Sequence, residues 1–282
     1  MREISETLRS TFRRAFRLEN RRGAIRPGRL DRIPQFESKI LGNSRDVVIY
    51  LPAGYDERPD QRYPVLYMHD GQNLFEPERA YIPGNHWRLG EAADRAIGNR
   101  TAEPMIIVGV DNAGASRIDE YTPTFDPEKK AGGRAADYAR MLIEELKPLI
   151  DARYRTLAGP DETGVGGSSL GGLNSLYLVL RHPETFRRAA VMSPSIWWHR
   201  RTILNDLETF PGKQPRMWID IGGREGAEAL EGARALRDVL RGRGWANDDL
   251  GYREDRRGDH SERSWAARSR SMLEFLFPPR QL

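Results

Sequence analysis

The stretch that decides the fold is Thr163-Gly-Val-Gly-Gly-Ser-Ser169-Leu-Gly-Gly172, which runs straight into Leu173-Asn-Ser-Leu-Tyr-Leu-Val-Leu180. It opens as a short strand and closes as an apolar helix, with a glycine-rich turn between. Gly167 and Gly171 flank Ser169 two residues away on either side. Where a backbone turns that sharply, side chains at the flanking positions would collide with the neighbouring strand or helix. The serine between them is expected in a strained conformation, its hydroxyl projecting above the sheet. It would sit at a helix N-terminus, whose free N–H groups favour developing negative charge. Ser169 is therefore the candidate nucleophile. Ser168 is a poorer one, because its own flanks are Gly166 and Leu170.

Outward from this turn, short apolar runs alternate with helical periodicity. Strands are expected at 46–51, 63–68, 105–110, 163–168, 189–192, 216–221 and 250–254. Helices are expected at 87–98, 134–151, 170–181, 227–241 and 262–276. Strands alternating with helices imply an α/β fold: a mostly parallel central sheet with helices on both faces. Trp87 and Trp265 are read as core anchors of their helices. Upstream, Ile4, Leu8, Phe12 and Phe16 recur every four residues, which predicts an amphipathic helix over 3–17. Residues 20–36 carry Gly, Pro and Arg and read as a linker. The expected organisation is thus an Arg-rich N-terminal helix and linker over 1–36, then one catalytic domain over 37–282.

Bulk composition narrows the partners. Of 282 residues, 38% are hydrophobic, enough to bury a sheet, and no apolar run approaches the length of a membrane span. There is no cysteine, which excludes disulfides, thiolate metal sites and a thiol nucleophile. That fits a cytoplasmic protein, as does the lack of a secretory signal pattern over 1–16. The net charge of +4 is misplaced as a clue. Residues 1–32 hold ten Arg against four acids, so the rest of the chain is slightly acidic. Nucleic-acid binding by the body is not expected. A contact between copies of the chain through the N-terminal helix is one use for its apolar stripe.

A serine nucleophile needs a base, and on this kind of turn the chain order is Ser, acid, His. Of five histidines, only His182, His199 and His260 follow Ser169. His182 ends the helix that Ser169 begins, and His199 follows Trp197-Trp198. His260 is better placed. It follows the last strand through a polar loop and precedes a helix that starts with Ser261 and Glu262. For the acid, Glu225 lies just past the strand at 216–221, at the carboxyl end where reactive groups gather. Asp220 and Asp248 are its rivals. One oxyanion donor is expected from the N–H of Leu170 and another from Gly71 or Gln72, in the turn after the strand at 63–68. Asn73, Asn112, Arg117, Tyr121, Trp197 and Trp198 are the pocket candidates. His69 and Asp70 precede Ser169, the wrong order for its partners. No His–carboxylate cluster has metal-ligand spacing, so neither metal nor cofactor is expected.

The chain resembles the esterase D and enterochelin-esterase-like family of α/β-hydrolases from about Ser38 to Phe277. The likeness is carried by RDVVIYLPAGYD at 45–56, LYMHDGQNLF at 66–75, GVDNAGASRIDEYTP at 109–123, GGSSLGG at 166–172, SPSIWW at 193–198 and GDHSERSW at 258–265. The resemblance implies an α/β-hydrolase fold, with Ser169 and His260 at the nucleophile and base positions. Relatives usually carry an Asp after a Gly-Thr pair, where this chain has Gly222-Gly223 and Glu225. It also implies a serine esterase acting on a small-molecule carboxylic ester. Related enzymes take siderophore trilactones, feruloyl or acetyl sugars and simple acyl esters, and some transfer the acyl group instead. A non-catalytic binding protein on this scaffold is the reading from another class.

Overall fold

The computed structural model describes residues 25–280; the helix expected over 3–17 lies outside the described residues. An eight-stranded sheet contains β1 (Arg29–Ser38), β2 (Asn43–Leu51), β3 (Val65–His69), β4 (Ile106–Val110), β7 (Thr163–Ser168), β8 (Arg188–Met192), β9 (Arg216–Gly222) and β10 (Leu250–Asp255). A separate hairpin pairs β5 (Phe125–Asp126) with β6 (Ala131–Gly132). The order in the large sheet is β1-β2-β4-β3-β7-β8-β9-β10. β2 runs antiparallel to both its neighbours, and every pair from β4 to β10 is parallel. This is the α/β-hydrolase fold. Its helices are α1 (Leu89–Gly98), α2 (Arg117–Tyr121), α3 (Ala135–Arg140), α4 (Lys147–Arg153), α5 (Leu170–Arg181), α6 (Ile203–Glu208), α7 (Ala227–Gly242) and α8 (Glu262–Leu276). A π-helical turn, Met141–Leu146, joins α3 to α4.

Two-residue alternation along each strand sorts the core onto two faces. Val65 and Tyr67 of β3 join Tyr138, Leu142, Leu173 and Leu236 from the helices on one side. Leu66 and Met68 join Trp87, Ala93, Trp265 and Met272 on the other. Each fully buried side chain of this size contributes about 1.5–3 kcal/mol. α1 and α8 therefore cover one face, while the helices between residues 135 and 242 cover the other. No helix among the described residues is long and apolar enough to cross a membrane.

Residues 20–36 were expected to be a linker, yet most of β1 falls there. The reason is its place at the sheet edge. Only Ile33, Phe36 and Ser38 of its ten residues are buried, so the apolar alternation is thin. Pro34 is tolerated because an edge strand need not donate every N–H. The register slips between Ile33 and Phe36, where Gln35 takes a left-handed φ of 49°. The sheet thus begins at Arg29, upstream of the expected domain boundary at 37.

Candidate active site

β7 ends at Ser168 and α5 begins at Leu170, leaving Ser169 alone at the turn with φ 59° and ψ −122°. A non-glycine residue there stores about 1–3 kcal/mol of strain. The surroundings hold it in place. Ser169 N–H donates to the Met192 carbonyl at 3.1 Å, and its own carbonyl accepts from Leu173 N–H at 3.1 Å and Ser195 N–H at 3.0 Å. A Cβ on Gly167 would lie 3.0 Å from both the Gly171 carbonyl carbon and His69 Cδ2, tighter than ordinary van der Waals contact, so glycine relieves crowding there. The Ser169 hydroxyl is partly buried and shares a hydrogen bond with Ser195 Oγ at 3.3 Å.

The base and acid candidates meet at the same carboxyl edge of the sheet. His260 stands on the loop between β10 and α8, and Ser261 caps α8 by accepting from Ser264 N–H. Glu225 follows β9 in the turn Gly222-Gly223-Arg224-Glu225. His260 Nδ1 and Glu225 Oε2 are 2.7 Å apart. The Glu225 side chain is 1% exposed and the imidazole 47%. Burial pushes the Glu225 carboxyl up, but hydrogen bonds from His260, the Ser193 hydroxyl and the Gly222 N–H outweigh it and hold it below the ordinary glutamate range. An ionised carboxylate only accepts. Nδ1 of His260 must then carry the proton, which leaves Nε2 with its lone pair free.

Behind Glu225 lies a polar cluster that sequence reading missed. Ser193 Oγ donates to Glu225 Oε1 at 2.6 Å and accepts from Trp265 Nε1 and Arg268 Nη2, each at 2.9 Å. Arg268 is fully buried and lies 3.0 Å from Asp220 through Nε, an ion pair whose angle falls short of a hydrogen bond. Asp220 Oδ2 accepts from Trp218 Nε1 at 2.8 Å. Asp220 is thus engaged below Glu225 and does not meet a histidine. Asp248 is exposed and precedes β10, at the opposite edge of the sheet from Ser169. Trp265, expected as a core anchor, does pack on Trp87 but also stands edge-on to His260, with centroids 5.0 Å apart. A signal for Arg268 existed in the sequence: it lies three residues after Trp265, on the apolar stripe that continues through Met272 and Leu276.

The turn after β3 faces α5. Asp70 takes a left-handed φ of 56°, and its N–H donates to the Tyr121 hydroxyl at 3.1 Å. Asn73 and Leu74 N–H close the short turn on the Asp70 and Gly71 carbonyls. This leaves the Gly71 and Gln72 N–H groups outside the turn's own hydrogen bonds. A Cβ on Gly71 would sit 2.5 Å from the Gly109 carbonyl carbon, so the turn presses on β4. His69 is buried beneath the Ser169 turn, with Nδ1 3.1 Å from the Tyr138 hydroxyl. Burial pulls its pKa down to about 3, so it is neutral.

The pocket candidates divide. Arg117 clamps Asp70 with two hydrogen bonds, at 2.7 and 2.8 Å, and Asn112 Nδ2 adds a third at 2.7 Å. Gln72 Oε1 accepts from the Asn112 N–H at 3.2 Å. Asn73 turns inward, and its Oδ1 accepts from Tyr81 N–H. Tyr121 is fully buried, and Trp198 is 3% exposed with Nε1 bonded to the Thr124 carbonyl. Those two support the walls and do not line an open pocket. Trp197 does line one: a cleft of about 730 Å³ shared with Lys129, His199, Arg200 and Arg201. The Lys129 ammonium lies 5.1 Å from the Trp197 ring centre. His182 pairs with Glu184 at the far end of α5. Among the described residues, no group of three or more His, Asp or Glu side chains is placed to hold a metal ion.

A strained serine between a parallel strand and a helix, with an imidazole–carboxylate pair at the same sheet edge, is the frame of an α/β-hydrolase. The model of the family described as "Putative esterase" matches residues 38–276, and the chain belongs to that family of carboxylic ester hydrolases. Protein YbbA of Bacillus subtilis (strain 168), itself uncharacterized, is 24% identical over 252 residues, covering 85% of this chain and 95% of YbbA. The iron(III) salmochelin esterase of Escherichia coli O6:H1 is 32% identical over 161 residues, 56% of this chain but only 34% of that protein. The solved BES protein from Bacillus cereus superposes with a TM-score of 0.70 at 22% identity, covering 89% of this chain and 95% of its own.

Proposed function

We propose that the protein hydrolyses a small carboxylic ester through an acyl-enzyme on Ser169, with His260 as general base and acid and Glu225 as its carboxylate partner. The observation that carries this is the pairing of a Ser169 backbone held at φ 59° with a buried Glu225 fixed 2.7 Å from His260 Nδ1. The segment Ser193-Pro194-Ser195 spans the two halves, touching Glu225 through Ser193 and Ser169 through Ser195.

In the first step the Ser169 hydroxyl leaves Ser195 and passes its proton to His260 Nε2 as Oγ bonds the ester carbonyl carbon. The oxyanion is held by the Leu170 N–H and by that of Gly71 or Gln72. Each such donor is worth about 10²–10³-fold in rate. The ester C–O bond then breaks, and His260 returns its proton to the leaving alkoxide. Water repeats the sequence on the acyl-enzyme and releases the acid, restoring Ser169. The cleft beside Trp197 would hold the rest of the substrate. The family's named siderophore and feruloyl esterases set the panel to try.

Ser169→Ala should lower p-nitrophenyl acetate hydrolysis by several orders of magnitude while the protein stays folded. Unchanged turnover in that variant would sink the proposal. Added alcohol should leave the free acid as the main product.

A further inference from the structure

Glu225 uses its two oxygens differently. Oε2 meets His260 alone. Oε1 accepts from Ser193 Oγ at 2.6 Å and the Gly222 N–H at 2.7 Å, with Arg268 Nη2 standing 3.7 Å away. The direction of the Ser193 hydroxyl is forced. Two donors, Trp265 Nε1 and Arg268 Nη2, occupy its lone pairs, so its single proton must point at Glu225. Arg268 therefore reaches Glu225 through Ser193 and is itself drawn toward Asp220, at 3.0 Å. Burial pushes the Asp220 carboxyl up, while Arg268 and the Trp218 N–H pull it back; with both carboxylates ionised the three charges sum to −1, and all three side chains are at most 1% exposed. In so dry a place they interact strongly and are poorly screened by salt.

We propose that Asp220 and Arg268 are positioning residues that act through Glu225: Asp220 holds the Arg268 charge off the acid, so that Glu225 keeps its full attraction for the His260 imidazolium. The inference rests on the Ser169–His260–Glu225 reading given above. If Arg268 faced Glu225 without Asp220, it would cancel the charge that the imidazolium needs during acyl transfer. If Arg268 were missing, two carboxylates would share one buried site.

Removing the Asp220 charge leaves the positive charge of Arg268 uncompensated, disfavours the imidazolium and lowers the pKa of His260. Removing the Arg268 charge does the reverse. Other charges around His260 stay the same in both variants: Arg256, Arg257, Asp259 and Glu262 on its own loop and helix, and Arg224 from the turn after β9.

The test is the acidic limb of the kcat/KM profile, which reports the base in the free enzyme. Asp220→Asn keeps the shape and the acceptor for Trp218. It should move the limb down by about one pH unit, the size set by a nearby unit charge at an effective permittivity near 20. Arg268→Met should move it up, and the double variant should return it close to the starting value. KM should change little in all three. A role in packing alone would lower kcat or the melting temperature without moving the limb. If the Asp220→Asn limb stays in place or moves up in a folded protein, the inference is overturned. If Arg268→Met does not fold, the downward shift in Asp220→Asn decides by itself. Glu225→Gln, run in parallel, separates the two levels: full activity there removes the triad reading, whereas loss there with unmoved limbs in the other variants removes only this inference.

Discussion

Replacing Glu225 by glutamine should damage the enzyme more than replacing it by alanine, and the structure says why. Glutamine has the same shape but one oxygen and one NH₂ group. Three donors converge on the Oε1 position: the Ser193 hydroxyl, the Gly222 N–H and, further off, Arg268 Nη2. Ser193 cannot turn to accept, because Trp265 and Arg268 already fill its lone pairs. The glutamine oxygen must therefore take the Oε1 site, and its NH₂ must face His260 Nδ1. A donor there forces the imidazole to accept at Nδ1 and to carry its proton on Nε2, the nitrogen that takes the proton from Ser169 in the proposed mechanism. A triad imidazole locked in the wrong tautomer costs about 10⁴-fold in kcat, or about 5 kcal/mol of transition-state stabilisation. Alanine loses the charge and the orientation but leaves the tautomer free, so its loss should be smaller. Initial rates on p-nitrophenyl acetate at neutral pH give the order, with melting temperature to show that both variants fold. Nitrogen chemical shifts of His260 report the tautomer itself. Activity of Glu225→Gln within tenfold of the parent, or above that of Glu225→Ala, would refute the reasoning.

Two further outcomes follow from the same surroundings. Ser169→Gly should abolish turnover and raise stability by about 1 kcal/mol, because φ 59° costs glycine little; a lower melting temperature would contradict stored strain at this position. His69 is neutral in the fold, its pKa pulled by burial from an ordinary 6.5 to about 3. The unfolded chain then binds the extra proton below pH 6.5, so stability should fall as the pH drops from 6.5 toward 3, by about 1.4 kcal/mol per unit from this group. Chemical denaturation of the parent and of His69→Gln across that range should show the slope reduced in the variant, and equal slopes would remove His69 as its source.

Most of the fold was legible because it is written in local patterns. Every strand expected from the sequence is present to within three residues at either end, and the turn at Ser169 is marked by glycines at its close contacts. β1 was hidden because an edge strand has little to bury and can hold Pro34 and a bulge. The π-helical turn between α3 and α4 was hidden for another reason: one extra residue per turn shifts the apolar stripe without breaking it. Tyr121 and Trp198 were misjudged as pocket walls because an aromatic residue near a strand end reads alike whether its polar tip faces a ligand or a buried backbone group. Here the tips meet the Asp70 N–H and the Thr124 carbonyl.

The acid is where local reading reached its limit, and the structure shows what kind of information was missing. Glu225 could be singled out by its place past β9, but Asp220 could not be dismissed, since it lies only five residues earlier. What separates them is not sequence distance but which face each occupies. Asp220 is still inside β9, where alternation points it toward α8, and α8 supplies an arginine on its buried stripe. With Arg268 drawn to Asp220, the carboxylate that pairs with His260 is the one beyond the strand. The same arginine would compete for that carboxylate if Asp220 did not hold it and if the Ser193 hydroxyl did not stand between. In the proposed triad, the preference for Glu225 over Asp220 thus comes from a helix that begins 37 residues after Glu225 in the chain. A glutamate, one methylene longer than aspartate, can leave the turn after β9 and still place one oxygen on Ser193 and the other on the imidazole.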